Sequence, residues 1–159
     1  MTSIVKLKEP NPLIIQMLRE YEAFSEVDGC YVFEYFELEI ATALVEEHVS
    51  SVILLNTPVS SIALVHILPE GIYTAAQAYL YACHHQLPTP TLRLDDVEQL
   101  TISSLLKHQL SIQETADDLF IHRNTLNYRL DKIFQKTGFQ FRQFEDAMTY
   151  YVLQHFCAK

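Results

Sequence analysis

The chain has 159 residues, of which 49% are hydrophobic and 19% charged, and its formal net charge is −9. That balance describes a globular chain of one or two small domains and excludes a disordered one. No apolar run reaches the ~18 residues of a membrane span, and the first ten residues lack a signal peptide's apolar core. The three cysteines, Cys30, Cys83 and Cys157, are too widely spaced to spell a disulfide framework, so a reduced, cytoplasmic protein is expected.

In chain order, Asn11-Pro12 predicts a helix entry, asparagine as N-cap and proline at the first helical position. Leu13, Ile14, Met17, Leu18, Tyr21 and Phe24 follow at helical spacing, and Asp28-Gly29 breaks the pattern. Residues 30–36 are aromatic and β-branched, which favours a strand. Residues 37–49 return to helical spacing. The apolar runs 51–55 and 61–68 flank Asn56-Thr57-Pro58-Val59 and predict a hairpin. An alanine- and tyrosine-rich stretch, 71–87, reads as helix, and Thr91–Leu94 as a last short strand. After the leading helix the expected order is β-α-β-β-α-β, a split βαβ arrangement.

Candidate chemistry in this half is thin. Cys83, His84 and His85 are consecutive on a helix, so they point about 100° apart and do not converge on one metal ion. His66 falls in an expected apolar strand and reads as a half-buried, hydrogen-bonded histidine. Glu37, Glu39, Glu46 and Glu47 read as a solvated face. No phosphate loop, nucleophile elbow or zinc spacing occurs, so neither a catalytic site nor a cofactor or metal site is expected.

The charge is unevenly placed. Residues 1–100 hold four Lys/Arg against fourteen Asp/Glu, and residues 101–159 hold seven against six. Any nucleic-acid contact is therefore expected in the C-terminal third. There, Ser111 and Glu114 have the spacing of a capping box. Ala116 and Leu119 share one side of the short helix that follows, and Phe120-Ile121-His122 interrupts it. A second helix, from Arg123 to Lys136, has Leu126, Leu130 and Ile133 at i, i+4 and i+7, and Gly138 as its stop. Two helices joined by so short a turn form a helix-turn-helix. On the second helix Asn124, Thr125, Tyr128 and Lys132 lie opposite the apolar seam, with Asn127 and Arg129 on the flanks. Cations suit phosphates, and asparagine can pair bidentately with adenine. A closing helix, 145–156, carries Met148, Tyr151, Val152 and Phe156 on one side.

The stretch Leu119-Phe120-Ile121-His122-Arg123-Asn124-Thr125-Leu126-Asn127-Tyr128-Arg129-Leu130, with Ala116 before it and Thr137-Gly138 after it, resembles the signature of the PucR-type transcriptional regulators. The resemblance covers roughly the last third of the chain and departs from the family pattern at Asn127, where a second cation is common. It implies an α+β protein: a degenerate GGDEF-like, ferredoxin-like domain over residues 1–99, sensory or dimerising, then an all-α helix-turn-helix domain over 100–159. It also implies a regulator of transcription that binds double-stranded DNA through Arg123, Asn124, Thr125, Asn127, Tyr128, Arg129 and Lys132. Such a protein is expected to work as a homodimer held through residues 1–100, with room for a small-molecule effector on that domain. The expected hairpin at residues 55–61 lacks the glycine-rich signature of the cyclases, so nucleotide cyclisation is not expected. The competing reading is a protein-interaction module that keeps this fold without binding DNA.

Overall fold

A computed structural model describes residues 2–9, 11–20, 24–34, 36–47 and 51–157. The chain divides into two compact units, Met1–Pro90 and Thr91–Lys159.

The first unit is built on five strands: β1 (Thr2–Leu7), β2 (Phe24–Val27), β3 (Cys30–Phe33), β4 (Ser51–Thr57) and β5 (Gly71–Thr74). Their order in the sheet is β2-β3-β1-β4-β5, antiparallel except for the β4–β5 pair. Helix α1 (Pro12–Arg19) joins β1 to β2, and α2 (Leu38–Glu46) joins β3 to β4. Asn11 caps α1 as its side chain suggests, accepting from the Leu13 and Ile14 N–H groups at 3.0 and 3.3 Å. Val5, Leu18, Phe33, Ala41, Leu44 and Ile53 pack in one core between sheet and helices.

The mixed α+β character agrees with expectation, but several segments carry different elements. β1 lies in the middle of the sheet, with Ile4 and Val5 fully buried, where no element was expected. The hairpin turns at Asp28-Gly29, not at 56–59. Both residues have positive φ, 50° and 70°, which a tight turn between right-twisted strands requires. Residues 61–68 are not a strand: a 3-10 turn (Val59–Ser61) leads into the one-turn helix α3 (Ile62–Val65). Leu64, Val65 and Leu68 are buried there at helical spacing, and a short apolar run fits either period. His66 therefore caps α3 in an exposed position, its Nδ1 2.8 Å from Lys6 Nζ. The helix expected from residue 71 begins at Ala75, as α4 (Ala75–His84), after β5. Thr74 and Gln77 bond reciprocally at 3.3 and 2.9 Å to fix that start. Thr91–Leu94 has no regular structure. Among the described cysteines, Cys30 is a free, buried thiol.

Among the described residues the second unit contains only helices: α5 (Asp96–Lys107), α6 (Ile112–Asp118), α7 (Arg123–Thr137) and α8 (Phe144–Val152), the last running into a wider turn, Leu153–Cys157. α5 was not foreseen, although Asp95 and Glu98 mark its start. The Asp95 carboxylate accepts from the Glu98 N–H at 2.8 Å, and the Glu98 carboxylate from the Asp95 N–H at 2.9 Å. Ile102 and Leu105 from α5, Ala116 from α6 and Leu126, Leu130 and Ile133 from α7 are all buried. Phe139 and Phe141 continue this core toward α8, their rings 6.3 and 5.1 Å from that of Tyr150. No described helix is long and apolar enough to cross a membrane. No three described His, Cys, Asp or Glu side chains converge as metal ligands.

Candidate nucleic-acid interface

The candidate interface is the surface made by α6, the turn after it and α7. Ser111 caps α6, its Oγ accepting from the Glu114 N–H at 3.4 Å. The reciprocal half of the expected capping box is not formed: the Glu114 carboxylate lies 3.6 Å from His108 Nδ1 instead. Ala116, 1% exposed, is small enough to admit α7 closely. α6 then closes with the Phe120 N–H on the Asp117 carbonyl (3.1 Å) and the Ile121 N–H on the Ala116 carbonyl (3.0 Å). This closure puts Phe120 at φ 53°, in left-handed backbone. His122 opens α7, its Nδ1 accepting from the Asn124 N–H at 3.2 Å, and Gly138, at φ 78°, ends it as expected.

α7 is two-faced. Leu126, Leu130, Ile133 and Thr137 are buried, while Asn124, Thr125, Tyr128 and Lys132 share the exposed face and Arg123 is exposed beside them. Lys132 Nζ sits 4.7 Å from the centre of the Tyr128 ring, and contact with Tyr128 pushes the lysine's pKa up, so the ammonium stays charged. The two flanking residues have protein partners. Arg129 is half-buried, with Nη1 3.5 Å from Thr101 Oγ1 on α5. Asn127 is gripped by Arg142, which donates to its carbonyl at 2.9 Å and to its Oδ1 at 3.2 and 3.3 Å. The structure thus brings five of the seven expected DNA-binding residues onto or beside one open face and turns the other two toward the protein.

Three other cations of this unit are paired. Lys136 meets Glu98 at 2.6 Å, Arg142 meets Asp131 at 2.8 Å, and Lys107 meets Asp118 at 2.9 Å. Among the described residues, Arg123, Arg129 and Lys132 have no carboxylate within ion-pair distance. Asp118 ties α6 to α5: it accepts from Ser104 Oγ at 2.7 Å as well as from Lys107, and His108 Nε2 lies 3.4 Å away. Lys107 first, then Ser104, holds the Asp118 carboxyl down at about 2, against 3.8 ordinarily. A depressed carboxyl stabilises the fold above its unfolded pKa and loses that contribution as pH falls through the folded value. The expected result is a loss of stability between pH ~4 and ~2 that Asp118→Asn removes from the stability–pH profile. Identical slopes for the two proteins over that window would contradict it.

These contacts were beyond the sequence reading. Lys107, Arg142, Glu98 and Thr101 act on α6 and α7 from 11 to 38 positions away. Only the Asp95–Glu98 spacing could have pointed to one of them in advance.

Residues 99–154 match the sequence profile of the PucR C-terminal helix-turn-helix domain. An uncharacterized protein of Bacillus subtilis is 48% identical over 56 residues, 35% of this chain and 15% of that protein. The carbohydrate diacid regulator of Escherichia coli is 34% identical over 73 residues, 43% of this chain and 19% of that protein. The chain therefore spans less than a fifth of either relative's length. A solved structure, the regulator of polyketide synthase expression from Bifidobacterium adolescentis, aligns over 97% of this chain and 78% of its own, with 17% identity and a TM-score of 0.42.

Proposed function

We propose that this chain is a transcriptional regulator that binds double-stranded DNA, with α7 entering the major groove. The observation that carries the reading is the open face of Asn124, Thr125, Tyr128 and Lys132, opposite a buried seam, within a stretch that matches a known helix-turn-helix domain. On this reading Asn124 and Thr125 in the first turn address base edges, with Tyr128 beside them, and Arg123 and Lys132 hold phosphates. Arg129 and Asn127 act mainly by fixing α7 against α5 and the Arg142 segment.

Residues 1–99 would serve as the sensory or dimerising domain and 100–159 as the DNA reader. The strand order β2-β3-β1-β4, with one helix crossing in each half, supports a ferredoxin-like, degenerate GGDEF-like assignment for the former. Its hairpin offers a single glycine, Gly29, which suits a tight turn more than a nucleotide cradle. No catalytic step belongs to this reading. Two copies joined through this acidic domain would present two α7 helices to half-sites about 34–36 Å apart, and a small-molecule effector would act by changing that pairing.

A titration of labelled duplex, selected from a random library, against the full chain at several salt concentrations tests the reading. The expected result is two chains per duplex and a log K that falls with log[salt] by about 0.9 for each phosphate held. One observation favours the interaction-module reading: residues 91–159 hold eight Lys/Arg against nine Asp/Glu, and three of those cations are paired within the unit. Absence of salt-dependent binding to any duplex would establish that reading instead.

A further inference from the structure

Phe120 is the most exposed large hydrophobic side chain among the described residues, ahead of Phe156 at 76% and Phe144 at 65% in the same unit. Phe139 and Phe141 are 0% and 1% exposed, whereas Phe120 is 95% exposed. It also occupies left-handed backbone, φ 53°, a conformation that glycine enters freely and a bulky side chain enters under strain. The turn itself does not call for phenylalanine. Its two closing hydrogen bonds, from the Phe120 and Ile121 N–H groups, are backbone bonds that glycine would make as well. The fold therefore bears a strained backbone and a solvated phenyl ring at one position, with no packing in return.

The ring's place in the turn indicates what it meets. It lies three residues before α7 begins, on the approach to Arg123, Asn124 and Thr125, the exposed first turn of that helix. Recognition helices meet base edges with their N-terminal residues, so a ring projecting from this turn reaches the same groove at the margin of the site. The apolar feature on offer there is the 5-methyl group of thymine, which phenylalanine recognises by simple contact.

Resting on the DNA-binding reading above, we infer that Phe120 is a base-reading residue that contacts a thymine methyl group at the edge of the site. The left-handed turn serves to hold the ring out toward the groove.

The test uses the full chain and the duplex it enriches from a random library, with each thymine replaced in turn by deoxyuridine. Wild type is expected to lose about fourfold in affinity at one position, the ratio that burying one methyl group gives. Phe120→Gly is expected to bind the unmodified duplex more weakly and to be indifferent to deoxyuridine at that position, while melting no lower than wild type. Equal binding by Phe120→Gly and wild type overturns the inference and leaves the DNA-binding reading standing. So does a deoxyuridine penalty that survives in the variant. A lower melting temperature for Phe120→Gly overturns it too, since the ring would then belong to the core. Failure of the wild type to bind any duplex overturns both.

Discussion

Leu126→Ala is expected to lower the stability of the C-terminal unit by about 2–5 kcal/mol, measured by urea denaturation. Leu126 is 0% exposed, in the first half of α7, where the helix is pressed on α5 and α6. Truncation removes transfer free energy and leaves a cavity that the buried side chains around it fill only in part. A unit of some seventy residues has roughly 3–10 kcal/mol in total, so this single change takes a large share of it. A loss under about 1 kcal/mol would mean that the seam is open and that α7 is not anchored as described.

Asn124→Ala should leave the fold intact, because the side chain is exposed, and cost about 1–3 kcal/mol of affinity at the preferred duplex only. Lys132→Ala should behave differently. It removes a charge held 4.7 Å over Tyr128, so binding to preferred and random duplexes weakens alike. The slope of log K against log[salt] shallows by about 0.9 for each phosphate contact removed, one per bound chain. The two variants separate reading of bases from holding of the backbone in one salt titration. Equal losses on both duplexes for Asn124→Ala would remove it from the base-reading face.

How much of this was legible in the sequence follows from how local each cause is. α7 could be read because its seam, its exposed face and its Gly138 stop all lie within sixteen residues. The same locality exposed Asn11 and Asp28-Gly29 as punctuation, though the second marks a hairpin and not merely a break. The run 61–68 was not legible, since four or five apolar residues suit a strand as well as a turn of helix. Only the burial of Leu64, Val65 and Leu68 decides between them. β1 was overlooked because a strand in the middle of a sheet announces itself through its neighbours, here β3 and β4, which lie far along the chain. The candidate site shows the same division. Its open face follows from helical period, while the partners that occupy Asn127 and Arg129 come from Arg142 and Thr101 and leave no trace in local pattern.

The pairing of Lys107, Lys136 and Arg142 within the unit bears on how such a protein would find its site. Of the six cations between residues 99 and 154, these three are neutralised by carboxylates and Arg129 is turned toward Thr101, which leaves Arg123 and Lys132 for phosphate. Two phosphate contacts per chain, four for two chains on one duplex, would correspond to about a 150-fold change in affinity between 50 and 200 mM salt, against 10³–10⁵ for readers with six to ten. A reader so lightly held on arbitrary sequence leaves it quickly and slides little. It would search by repeated capture and release from solution, and its affinity would depend less on ionic strength than that of a reader with more phosphate contacts.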